Sequence, residues 1–135
     1  MLTLIHQLTP TQIEQLHQMY RPEWWCKDRT LADVHTMLGN TDLLFGLWDE
    51  AAQRLAAFAR VLTDGVYRAI VFDVIVAADY RGQGLSRSLI EHITSHPQLA
   101  QVECIQLFCT PEMQPFYEKY GFGQAEQQLM VRSRG

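Results

Sequence analysis

The chain opens on LTLIHQL (residues 2–8), where apolar and polar positions nearly alternate, the period of a half-buried strand. From Ile13 the rhythm lengthens: Ile13, Leu16 and Tyr20 recur at helical spacing. Thr9, Pro10 and Gln12 ahead of them read as an N-cap, an N1 proline and a capping-box partner. Thr30 with Asp33 repeats the N-cap signal, and this second helix is expected to stop near Gly39, where a left-handed C-terminal residue is easiest for glycine. Three β-rich runs follow at 42–48, 54–62 and 67–76, joined by polar turns, so three antiparallel strands in succession are expected. Leu85, Leu89 and Ile93 then line one helical stripe as far as His96, where Pro97 forces an exit. A strand at 104–109, a short helix at 112–120 ended by Gly121 and a last strand at 127–131 complete the pattern. The order β-α-α-β-β-β-α-β-α-β predicts an α/β fold, a mixed and mostly antiparallel central sheet flanked by helices. The helix after Gly84 is the natural crossover between two parallel neighbours.

At 135 residues and 47% hydrophobic content, residues 1–135 are read as a single domain able to bury a core without metal or disulfide support. A formal net charge of −4 argues against nucleic acid or an anionic membrane as partner and favours a cationic one, such as an amine. Three cysteines, Cys26, Cys104 and Cys109, form no C-x-x-C pair and cannot close a disulfide framework. With no basic, apolar leader and no run approaching about 18 apolar residues, the expected setting is the cytoplasm.

The stretch YRGQGLSRSLI (residues 80–90) holds the first chemistry. It lacks the third glycine of a dinucleotide fingerprint, since Arg87 stands there, and the Gly-Lys-Ser/Thr of a nucleotide-triphosphate loop. Arg81 and Arg87 nevertheless bracket a helix N-terminus, and no acidic residue lies between Asp79 and Glu91 in sequence. A cation at a positive helix end costs roughly 0.3–1 kcal/mol, a penalty that a bound anion reverses. Gly82 and Gly84 let backbone N–H groups converge without a Cβ in the way. The plainer alternative is a strand-to-helix turn whose glycines supply positive φ and whose arginines face solvent.

This stretch resembles the acyl-CoA pyrophosphate loop of the GNAT superfamily of N-acetyltransferases, pattern Gln/Arg-x-x-Gly-x-Gly/Ala, with Arg81, Gly84 and Ser86 at the defined positions. Ser86 departs from the usual Gly or Ala. PFYEKYGF (residues 115–122) resembles the family's C-terminal Phe-Tyr-x-Lys-x-Gly-Phe element, in the right order after a strand and a short helix. The likeness covers roughly residues 54–131; the family's usual asparagine shortly before Phe-Tyr is absent from CTPEMQ, where Thr110 is the candidate substitute.

The resemblance implies a GNAT-like domain that moves an acetyl group from acetyl-CoA to a primary amine, by direct transfer in a ternary complex and without a metal. Arg81, Gly82, Gln83, Gly84, Leu85, Ser86 and Arg87 would hold the pyrophosphate; the backbone of Val74, Ile75 and Val76 the pantetheine arm and thioester oxygen; Thr110, Phe116 and Tyr117 the remaining contacts. Tyr117 would protonate the leaving thiolate, as a phenol with a pKa near 10 can. Tyr120 is the fallback.

Asp73, the one charge between Ala69 and Ala78, would accept the substrate ammonium or act as general base through water. Its structural alternative is a carboxylate that caps backbone N–H groups or pairs with Arg60 or Arg68, because an unpaired buried carboxylate costs several kcal/mol. Trp24 and Trp25 either wall the acceptor cleft or serve core packing or a homodimer contact. His92 and His96 have the spacing of a metal pair but lack the Glu of H-E-x-x-H, and Cys109 reads as a buried small apolar residue near the thioester. The rival functions are a non-catalytic acyl-CoA sensor or interaction module and a protein-lysine or N-terminal acetyltransferase.

Overall fold

The computed structural model describes residues 1–134. In chain order it contains β1 (Leu2–Ile5), α1 (Pro10–Tyr20), α2 (Leu31–Gly39), β2 (Leu43–Asp49), β3 (Arg54–Thr63), β4 (Arg68–Val76), α3 (Leu85–Ser95), α4 (Pro97–Ala100), β5 (Cys104–Leu107) and α5 (Gln114–Glu118). Single 3-10 turns precede Arg81 and α5. The strands form one sheet in sequence order, antiparallel from β1 to β4 and parallel between β4 and β5. The expected mixed sheet and crossover helix are therefore present.

Helix starts follow the local signals. Thr9 accepts from the Gln12 backbone N–H, while the Gln12 side chain accepts from the Thr9 N–H at 2.8 Å, a complete capping box. Thr30 caps α2 by accepting from the Asp33 N–H at 3.1 Å. Pro97 does end α3, but it also occupies the first position of α4, where its missing N–H is no loss; His96 caps that turn through Nδ1.

The sheet buries both faces. On one, Leu85, Leu89, Ile90 and Ile93 of α3 pack with Leu99, Tyr117 and the inward residues of β2 to β4, each fully buried aliphatic contributing about 1.5–3 kcal/mol. On the other, Leu16 and Tyr20 of α1 and Val34 of α2 cover Trp48, Leu55, Phe58 and Ile75. The 127–131 segment does not form the expected strand: it has no ladder partner, and Leu129, Met130 and Val131 are 65%, 91% and 70% exposed. A β-rich run becomes a strand only against a partner, and β5 keeps an open outer edge.

Two irregularities in β4 shape the site. The β3–β4 register shifts between Phe58 and Arg60, opposite Asp73, whose φ of 58° marks a bulge. On the other edge of the strand, pairing with β5 ends at Val71 and Leu107, just before Asp73, while β4 runs on to Val76. The sheet thus splits from Phe72 to Val76, more than half the length of β4.

Candidate functional site

The split determines which backbone groups are free. Ala77 N–H donates to Ala56 O on the β3 side, so by strand alternation the polar groups of Ile75 also face β3 and those of Val74 and Val76 face the split. Val76 O already accepts from Arg81 Nε on that side, at 3.4 Å. Both backbone groups of Val74 and the N–H of Val76 therefore remain unclaimed at this strand edge.

At the head of the split, α3 begins without a side-chain cap or an acidic first turn. Gly84 at the N-cap has φ 75° and Gly82 has φ 80°, left-handed conformations that only glycine adopts without strain. The first N–H groups of α3 point out of the helix toward the loop, and the helix dipole adds positive potential there. This is the chemistry of a phosphate cradle.

Split and loop open onto one groove of about 340 Å³, lined by Val74, Ile75, Val76, Gly82, Gly84, Leu85, Ser86 and Phe116 together with the charged or aromatic Glu23, Trp25, Tyr80, Arg81 and Arg87. Ten of the expected coenzyme contacts are among them, although Ile75 lines the groove without the backbone role expected of it, its N–H and C=O being turned to β3. Gln83 is exposed at the loop tip and Thr110 stands at the start of the turn before α5 without a side-chain cap bond, and neither lines the groove. Tyr117 lies behind Phe116, its ring edge-on at 5.0 Å. Burial, with the nearby Cys109 thiol second, raises the Tyr117 pKa above that of an ordinary phenol, so the group stays protonated at neutral pH. No buried polar side-chain atom among the described residues lacks a partner, so the Tyr117 hydroxyl, which has no protein partner, reaches open space.

The arginines are not unneutralised, as their sequence neighbourhood suggested. Arg81 Nη2 meets Glu23 Oε2 at 3.2 Å and Arg87 Nε lies 3.8 Å from Glu91 Oε1. Both arginines are more than half exposed, so these pairs contribute little stability. Glu23 and Tyr80 are the groove residues the sequence reading missed. The signal for Tyr80 was its place immediately before Arg81; Glu23, 58 residues away, had only its adjacency to the two tryptophans.

Asp73 does not line the groove. Its side chain is 4% exposed and accepts from Arg29 at 2.7 and 3.3 Å, from Arg60 Nε at 2.8 Å and from the Tyr20 hydroxyl at 3.0 Å. Burial pushes its pKa up, but the hydrogen bonds from Arg29 and Arg60 outweigh it and hold the carboxyl below the usual carboxylate range. This is the structural alternative, with Arg29 in place of Arg68, which pairs with Glu103 instead. The same carboxylate and burial drive the Tyr20 pKa up, burial being the larger cause.

The tryptophans separate. Trp24 is 79% exposed, whereas Trp25 lines the groove and stacks edge-on with Tyr20, with the Arg29 guanidinium 5.5 Å from its ring centre. Cys26 is buried and its thiol is pushed up to about 11, chiefly by burial, whereas Cys109 is exposed and not buried as expected, because β5 ends at Leu107 before reaching it. His96 engages the Gln98 N–H and packs against Phe45 and His6, and no group of three metal-ligating side chains occurs among the described residues. No helix among them is long and apolar enough to cross a membrane.

Residues 41–124 match the family model of the acetyltransferase (GNAT) domain. An uncharacterized N-acetyltransferase ycf52 from Pyropia yezoensis is 31% identical over 110 residues, 80% of this chain and 63% of that one. The chloroplastic GCN5-related N-acetyltransferase 1 of Arabidopsis thaliana is 33% identical over 94 residues, 70% and 48% of the two chains. The chain thus spans less than two thirds of either relative. A crystal structure assigned to the GNAT acetyltransferases, from Xanthomonas campestris pv. campestris, superposes with a TM-score of 0.82 at 29% identity, covering 97% of this chain and 93% of that one.

Proposed function

The chain belongs to the GNAT acetyltransferases, and on that premise we propose that it transfers an acetyl group from acetyl-CoA to the primary amine of a small cationic molecule, directly and within a ternary complex. One observation carries the reading: the uncapped N-terminus of α3, flanked by Arg81 and Arg87, opens onto the same groove as the unpaired edge of Val74 and Val76. An anion cradle and a strand edge that share a groove suit a ligand with a diphosphate at one end and amide groups along its arm. The coenzyme supplies an activated thioester.

In this reading the N–H groups of Gly84, Leu85, Ser86 and Arg87 hold the diphosphate, with Arg81 and Arg87 adding charge. The Val74 and Val76 edge aligns the pantetheine arm and offers an N–H to the thioester oxygen as it gains charge. Phe116 packs against the arm, and Tyr117 behind it gives its proton to the departing sulfur as the C–S bond breaks, the proton lost by the amine nitrogen passing to water and restoring the phenol. Asp73 takes no part in this chemistry; it fixes the bulge that interrupts β3–β4 pairing beside the split. The proposed setting is the cytoplasm, with a plastid as the alternative that the chloroplastic Arabidopsis relative raises.

A free-thiol assay with acetyl-CoA across polyamines, arylalkylamines, amino acids and lysine peptides tests the activity. Binding of coenzyme A at a hundredfold excess over Kd should add roughly 2.7 kcal/mol of stability. No thermal shift at millimolar acetyl-CoA would overturn the reading, and a shift without thiol release would favour a sensor. Tyr117→Phe should lower kcat by about a hundredfold and leave coenzyme binding unchanged; unchanged turnover would move the proton donor to Tyr120.

A further inference from the structure

The groove holds one carboxylate among its lining residues, and it belongs to Glu23. Arg81 reaches across the mouth to it, with Nε on Val76 O and Nη2 on Glu23 Oε2 at 3.2 Å. That strap ties the head of β4 to the link between α1 and α2, where the Glu23 backbone is fixed by its own N–H to Tyr20 O and by Cys26 N–H to Glu23 O. Trp25 lines the same groove two residues on.

We propose that Glu23 is the acceptor-binding carboxylate of this site, and that a bound diphosphate frees it for a cationic amine by taking Arg81 away. The inference rests on the coenzyme reading above and adds the acceptor half of the site to it. Asp73 cannot serve in that place, since both its oxygens are held by arginine.

The exchange follows from the charges. Arg81 is 57% exposed and its contact with Glu23 is long, so the pair is weak and readily broken. A diphosphate offers Arg81 two negative charges at a positive helix end, a stronger partner than one carboxylate. Glu23, at 24% side-chain exposure, is then left partly desolvated without a cation. An ammonium group entering the groove between Glu23 and Trp25 restores one. Coenzyme and acceptor binding are thereby coupled, each strengthening the other by the same factor.

Glu23→Gln separates this from a purely structural role, because the two ligands should respond in opposite directions. Calorimetry with coenzyme A should give unchanged or tighter binding, since Arg81 has lost its competitor. With the best cationic amine of a panel of spermidine, phenethylamine and lysine, KM should rise about tenfold or more, the worth of a hydrogen bond to a charged group, with a smaller change in kcat. Glu23→Asp should recover part of the KM loss. In Arg81→Ala the competitor for Glu23 is gone, so the amine should bind the coenzyme-free protein more tightly than it binds wild type and coenzyme A should no longer enhance that binding, which keeps the test open if Glu23→Gln folds poorly. Weaker coenzyme binding in Glu23→Gln, an unchanged amine KM, or a coenzyme-binding wild type that acetylates no cationic amine would each overturn the proposal. A wild type that binds no coenzyme A would instead overturn the underlying function.

Discussion

Asp73 and Glu23 are both carboxylates gripped by arginine, yet they occupy opposite situations in one small domain. Asp73 is buried, triply bonded by Arg29, Arg60 and Tyr20, and sits on a strained bulge. Glu23 has one long contact to an exposed arginine at the rim of a groove. Burial makes the first arrangement costly to disturb and therefore structural; exposure makes the second cheap to exchange and therefore suited to a ligand. Apolar context, more than residue type, decides which carboxylate is available for binding.

The largest effect expected from breaking this contrast is on stability. Asp73→Asn removes the charge that two half-buried arginines share while keeping a residue that tolerates positive φ. It should destabilise by roughly 3 kcal/mol, at the lower end for a disrupted buried pair because Arg29 is partly open, and lower Tm by roughly 10 °C. Its pH dependence carries a sign. The folded Asp73 pKa is depressed, so its contribution is full above the ordinary carboxylate value near 4 and fades as pH falls through the folded value. Urea unfolding should therefore show the gap between wild type and Asp73→Asn closing below about pH 4; a gap constant from pH 7 to pH 3 would assign the effect to packing.

The same contrast explains what was legible in the sequence. The Thr9–Gln12 capping box, the stop at Gly39 and the Leu85–Leu89–Ile93 stripe are written within a few residues of where they act; the first and last formed as expected, and α2 stops at Gly39 as expected but without the left-handed residue, its C-cap Asn40 having φ −114°. The glycine loop was legible for the same reason. What stayed hidden is long-range: Arg29 reaches Asp73 from 44 residues away and Glu23 reaches Arg81 from 58. Neither periodicity nor spacing encodes such a pairing. The 127–131 run failed for a related reason, since its β character was local and its partner strand was not supplied.

A smaller effect is expected at the groove. Arg81→Ala and Arg87→Ala should each weaken coenzyme A about tenfold, the worth of one charge-assisted contact to phosphate. Stability should change by less than about 0.5 kcal/mol, because both side chains are exposed and their carboxylate pairs are loose. The measurements are calorimetric Kd and urea midpoint on the same samples. Loss of stability with loss of binding would mean that the loop arginines, like those at Asp73, hold the fold.

Salt gives the mildest and most discriminating comparison. Raising ionic strength from 0.1 M toward 1 M shortens the screening length from about 10 Å to about 3 Å, which reaches exposed charges but scarcely touches a pair whose carboxylate is nearly inaccessible. Coenzyme A affinity, carried in part by Arg81, Arg87 and the open end of α3, should fall several-fold across that range. The stability difference between wild type and Asp73→Asn should stay nearly constant, since Arg60 is 13% exposed and Asp73 4%. If salt erodes that difference as strongly as it erodes binding, the Asp73 cluster is open to solvent in solution and the distinction between the two carboxylates disappears.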